Sequence, residues 1–356
     1  MTQDIYRQLQ ERLDKYSVGF PATESGIEIT ILKRMFSKED ADMFLALSPM
    51  LETPGAIAER LGRNLEDVAA RLEDMTKRGL LFHLKKEDTV KYGAIPFVHG
   101  LFEFQVKRLD KDFADLVMQY FDSDFYHTMA QNAGGFLRTI PIKESISVTQ
   151  KIAAYDDAVE ILKKQKLIVI TDCICRKGRQ VIETDCGRPM EACFMFGSMA
   201  QYYLDHNMGR KIDVEEGARI LKESHDAGLV TQPATAQNPA GMCNCCGDCC
   251  GVLKSLNEYP KPAELVFSNY FAAISEEECV GCEECLDRCQ MGALTMRDDE
   301  KAVVNRDRCI GCGLCVTTCP SEAIELVLKP EDELKTPPAT SAEQMMNMAI
   351  KRGIQF

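Results

Sequence analysis

Two cysteine runs lie back to back towards the end of the chain. They are Cys279-x2-Cys282-x2-Cys285-x3-Cys289 and Cys309-x2-Cys312-x2-Cys315-x3-Cys319, the second closed by Pro320. Thiolates at two-residue gaps wrap a tight loop and point successive sulfurs inward, as three of the four ligands of a cubane [4Fe–4S] cluster must. The fourth has to come from farther away, and in this spacing the last cysteine of each run crosses to the other cluster. One cluster is therefore expected on Cys279, Cys282, Cys285 and Cys319, the other on Cys309, Cys312, Cys315 and Cys289. A zinc reading would predict two separate tetrads, each within its own run.

This doubled run with its trailing Cys-Pro resembles the bacterial-type two-cluster ferredoxins over residues 276–330. The resemblance implies one-electron transfer at low potential, with no substrate chemistry in that module. The intervening residues agree: Leu294–Met296 and Ala302–Val304 are predicted strands flanking a turn at Asp298–Lys301. Gln290 departs from the pattern, standing where the second run has its proline. Glu276, Glu277, Glu278, Glu283, Glu284 and Asp287 surround the first run. Negative charge there would lower a cluster's potential; a plain solvated acidic surface is the simpler alternative.

Eight of the seventeen cysteines are then accounted for. The other nine are Cys173, Cys175, Cys186, Cys193, Cys243, Cys245, Cys246, Cys249 and Cys250. A lone cysteine is usually a small buried hydrophobe. Nine of them set among Gly, Asn, Asp and Arg point to at least one further metal centre. Adjacent side chains diverge, so alternate members are the expected ligands: Cys173, Cys175, Cys193, Cys243, Cys246 and Cys249. No choice of four follows, and the count suits a cluster larger than a cubane or two centres equally. Arg176, directly after a cysteine pair, could offset thiolate and sulfide charge, or form an ordinary surface ion pair. His83, His99, His127, His206 and His225 show no ligand spacing and read as structural or exposed.

The motifs "CICR", "PMEAC" and "CNCC" resemble a poorly characterised group of bacterial and archaeal ferredoxin-like proteins, over about residues 150–325. That likeness implies an additional iron–sulfur cluster and anaerobic metabolism, without a substrate. The second motif ends there in an unbroken cysteine triplet; here Asp248 precedes Cys249 and Cys250, leaving one potential ligand fewer.

The elements that must position these thiols read as follows. An apolar run, Leu167–Ile170, is a predicted strand delivering Cys173 and Cys175. Pro189–Leu204 is a predicted helix carrying Cys193 in its first turns, and Val214–Ala227 a second, ended by Gly228. Residues 99–165 read as mostly helical, with a loop at 132–142, and 258–275 as a connector. Ahead of them, helices at Phe36–Leu47, Gly55–Leu61 and Leu65–Arg78, then strands at Leu80–Leu84 and Val90–Ile95, lay out a winged helix. Pro49 separates the first two helices. The phrase "IAERLGRNLEDVAARLEDMTKRGLL" resembles MarR-type regulators. A DNA-reading helix wants basic and amide groups near its N-terminus; this one offers Glu66 and Asp67. Counterion release would be weak on such a surface, which favours a scaffold or docking role.

The expected architecture is therefore α+β and multidomain: a winged helix at 1–98, a mostly helical cysteine-rich domain at 99–258, a dicluster module at 259–330, and a flexible tail at 331–356. A net charge of −13 disfavours nucleic acid and anionic membranes. The N-terminal segment has no apolar core of a signal peptide, and cysteines without one suit a reducing cytoplasm. No Walker or dinucleotide fingerprint occurs. Three functions compete: a cytoplasmic electron-transfer protein serving a redox protein partner, a redox-sensing winged-helix regulator, and a reductase acting at the middle centre. The winged-helix region is the expected place for any homodimer contact.

Overall fold

A computed structural model describes residues 4–48, 50–123, 125–141, 143–146 and 153–354. Pro49 and Ile142, and the last two residues of the tail, lie outside them. The chain mixes helix and sheet, and no helix among the described residues is long and apolar enough to cross a membrane.

The N-terminal unit follows its capping residues. Ser37 and Asp40 form a reciprocal capping box that starts the helix Lys38–Ala46. Thr53 caps Pro54–Leu61, which Gly62 ends at φ 61°. Asn64 accepts from the amides of Glu66 and Asp67 to start Leu65–Lys77. A hairpin, Phe82–Lys86 with Thr89–Gly93, completes the unit. It is bolted to the next domain by buried Tyr202, whose hydroxyl donates to Leu81 O at 2.9 Å and whose ring lies 5.3 Å from that of Phe82.

The middle domain corrects the sequence reading. Helices do make up more of it than strands, but beside them it holds an unexpected five-stranded sheet in the order Arg210–Ile212, Ile168–Asp172, Glu191–Phe196, Gly241–Cys245, Val230–Pro233. All pairings are antiparallel. The predicted helix Pro189–Leu204 is a strand, Glu191–Phe196, followed by a shorter helix, Gly197–Asp205. Both faces of this strand are buried. Phe194 and Phe196 pack with Met242, Ile168 and the helices Ala158–Lys163 and Val214–Asp226. Cys193 and Met195 face the large core on the other side. A strand buried on both faces reads as a continuous apolar run, and periodicity alone does not separate it from a helix.

In the C-terminal module the predicted hairpin forms, Leu294–Met296 pairing with Ala302–Val304. The end of the expected connector is itself a strand, Tyr270–Ile274, paired antiparallel with Ile324–Leu328. Beyond it the tail, expected to be flexible, carries a helix, Ser341–Lys351. That helix packs on Phe125–Phe136, and its buried Gln344 donates to Phe136 O at 2.7 Å.

Candidate metal centres

Two small cavities sit in the C-terminal module. Cys279, Cys282, Cys285 and Cys319 line one; Cys309, Cys312, Cys315 and Cys289 line the other. The structure thus brings the fourth cysteine of each run beside the first three of the opposite run. Short helices and turns carry it there: Glu284–Arg288 delivers Cys289 away from its own loop. Gly311 is required by close approach, since a Cβ there would meet Tyr270 O at 2.1 Å. Backbone amides already aim at the sulfurs: Ala293 N lies 3.2 Å from Cys289 Sγ, and Ala272 N 3.4 Å from Cys309 Sγ. Such donors favour thiolate over thiol. Burial pulls the other way, raising Cys312 to about 12 and Cys285 to about 11. Deprotonation at these positions therefore needs a cation to compensate it.

The sheet domain holds its nine thiols in two groups. Six of them, Cys173, Cys175, Cys193, Cys243, Cys245 and Cys250, surround a single cavity of about 50 Å³. Each sulfur has two sulfur neighbours, and the six close into a ring. Rigid elements set it. Cys193 and Cys243 are directly opposite on paired strands, and Cys245 follows on the same face two residues on. Cys173 and Cys250 are the N-cap residues of the helices Ile174–Val181 and Gly251–Asn257, with Cys175 in the first turn. Neighbouring thiols hold Cys173, Cys243 and Cys250 well below the ordinary thiol range, and push Cys175, Cys193 and Cys245 well above it.

The second group is Cys186, Cys246 and Cys249, whose sulfurs all lie within 4.8 Å of one another. Cys246 is pulled down to about 6, chiefly by Cys249. Adjacent cysteines part company here: Cys245 serves the ring and Cys246 the trio, and Cys250 and Cys249 divide in the same way. Of the six ligands expected from sequence, Cys173, Cys175, Cys193 and Cys243 lie on the ring, while Cys246 and Cys249 lie in the trio. Cys186, Cys245 and Cys250 were missed. Recognising Gly241–Cys245 as a strand would have found Cys245, because it shares a face with Cys243.

Arg176 is 1 % exposed. Its Nη1 donates to Asn244 O at 3.0 Å and lies 4.0 Å from Cys246 Sγ, while Nε and Nη2 have no partner. Burial opposes its charge, but Cys173, Cys193, Cys246 and Cys245 together raise its pKa. A buried guanidinium with orphaned donors fits an anionic group held by thiolates. His99, read from sequence as structural or exposed, lines the ring cavity with Nε2 3.8 Å from Cys243 Sγ. Burial disfavours its charged form, yet Glu103 and Cys243 outweigh that and raise its pKa to about 9.

The trio meets the C-terminal module at one junction. Gln290 Oε1 accepts from Gly247 N at 2.7 Å, and Gln290 O accepts from Asn257 Nδ2 at 3.0 Å. Gln290 follows Cys289, and Gly247 follows Cys246. This explains the missing proline: its ring has no side-chain acceptor to offer. Gly247 is equally constrained, since a Cβ there would sit 2.8 Å from Gln290 O.

A family model described as a 4Fe-4S dicluster domain matches residues 272–326. No curated protein and no solved structure matches the chain.

Proposed function

With an iron–sulfur module at the C-terminal side as premise, we propose that the chain is an electron-transfer protein. Two [4Fe–4S] clusters in the C-terminal module exchange electrons with a further iron–sulfur centre in the sheet domain. The observation that carries this reading is the Gln290–Gly247 hydrogen bond. It links the residues next to Cys289 and Cys246, so one hydrogen bond and a few covalent bonds separate the two cysteine fields. When bound, the clusters supply the one-electron chemistry. The chain's own residues set the distances, exclude water and offset charge through Arg176. At the opposite end Cys282 is exposed and Val280 is 67 % exposed, within a collar of exposed acids from Glu276 to Asp287. Such a face suits a redox protein partner with a basic surface. Gln290→Ala should leave metal content unchanged and slow re-equilibration between the two fields by tenfold or more. Stopped-flow reduction followed by freeze-quench EPR measures this, and an unaltered rate would remove the junction from the path.

The trio favours a second reading as well. Three thiols converge on one point, with no fourth cysteine, histidine or carboxylate joining them among the described residues, which is the arrangement a reductase with an open coordination position needs. Anaerobic turnover of disulfides, lost in Cys246→Ser, is the expected result on that reading.

The N-terminal unit reads best as a winged helix used for docking. The cations on and beside its helix Leu65–Lys77 are spent internally: Arg71 and Arg78 on Asp40, Arg63 on Asp42, and Lys77 on Glu73. Those four are tied up away from phosphates, and its hairpin side is already packed around Tyr202.

A further inference from the structure

Six thiols are too many for a cubane, and they are spaced too widely for single ions. A cubane offers one terminal position per iron, about four in all, so two ring sulfurs would be left idle. A four-coordinate zinc at a Zn–S length of ~2.3 Å draws its sulfurs to about 3.8 Å apart. Among the described residues, the sulfurs that crowd within 4.8 Å in threes are those of Cys186, Cys246 and Cys249, and no three of the ring do so. The ring instead encloses about 50 Å³, several times the ~10–15 Å³ that one water fills on the same measure. Its sulfurs come from two paired strands and two helix N-termini, which hold them apart more rigidly than loops would. Arg176 stands between ring and trio with Nε and Nη2 unpartnered, as a strongly anionic occupant requires.

We propose that Cys173, Cys175, Cys193, Cys243, Cys245 and Cys250 together ligate one polynuclear iron–sulfide cluster of more than four irons. It is separate from the Cys186–Cys246–Cys249 site. This rests on the iron–sulfur reading of the sheet domain given above and specifies its nuclearity.

The test uses the full chain, purified anaerobically, with Cys186→Ser and Cys249→Ser combined to clear the trio. Iron, zinc and acid-labile sulfide are counted, and Mössbauer spectra are recorded. Iron clearly above about twelve per chain is expected, two cubanes plus more than four, with matching sulfide and no zinc. Iron at about twelve would mean a cubane on four of the six thiols, overturning this proposal while leaving the electron-transfer reading intact. Iron at about eight, with or without zinc, would overturn this proposal; the same count in the parent chain, with the trio intact, would overturn the electron-transfer reading as well. Single serine variants at each ring position supply a second measurement on the same background. All six should shift the same Mössbauer signal, and two silent positions would overturn the proposal even if the iron count were high.

Discussion

Cys319 is the residue on which the pairing of the two cysteine runs turns, because it lines a cavity with three thiols of the other run. Cys319→Ser should cost the cluster held by Cys279, Cys282 and Cys285 and largely spare the one on Cys309, Cys312 and Cys315. EPR of the reduced variant reads this directly. Loss of the Cys309 signal with the Cys279 signal intact would sink the assignment. A metal site carries folding energy, so the variant's module should also melt several degrees lower. At this scale the sequence was most readable where chemistry fixes spacing. Gaps of two residues are diagnostic because a loop must wrap a cube. The sheet-domain thiols lacked that regularity: their spacing is set by strand pairing and helix N-termini, which join Cys193 to Cys243 across fifty residues. The rule that adjacent cysteines diverge is sound physics, but it does not follow that only one of each pair is a ligand. The structure divides Cys245 from Cys246, and Cys249 from Cys250, between two groups.

Among the elements, the strand Glu191–Phe196 was hidden by its own burial. Alternation marks a strand only when one face is wet, and here Phe194 and Met195 are both inside. The hairpin Leu294–Met296 with Ala302–Val304 was legible because a turn of charged residues separates two short β-rich runs. The segment joining the strand Gly241–Cys245 to the helix Gly251–Asn257 makes a separate demand. It passes the Gln290 loop so closely that only glycine fits at position 247. Gly247→Ala should cost about 1–3 kcal/mol through overpacking, seen as a lower denaturation midpoint. If the stability of this variant matched that of the parent, the junction would be looser than described.

At the scale of the whole molecule, the C-terminal module docks on the end of the helix Val214–Asp226. Arg288 Nη1 donates to Asp226 O at 2.7 Å, and His225 Nε2 lies 2.6 Å from Thr317 Oγ1. Burial is the main cause that lowers the His225 pKa to about 4; Arg288 and Lys222 add to it and Asp226 opposes it. The unfolded chain, with an ordinary histidine near 6.5, therefore binds more protons than the folded one between those values. The neutral-histidine contribution is complete above about pH 6.5 and is lost as pH falls towards 4. Chemical denaturation at pH 7.5 and 5 should show that loss, and His225→Gln should flatten it; equal slopes for both proteins would exclude His225 as the cause. The order of helices and hairpin in the N-terminal unit was readable from its caps. Its seat on Tyr202 was not, because that contact joins residues 121 positions apart. Long-range reach of this kind also governs manufacture. On a ribosome Cys279, Cys282 and Cys285 emerge first, but their pocket stays unfinished until Cys319, forty residues later, has cleared the exit tunnel. Completion of that pocket therefore waits until the second run has been made. A nascent chain stalled between the two runs would present three oxygen-sensitive thiols with no fourth ligand to complete their pocket.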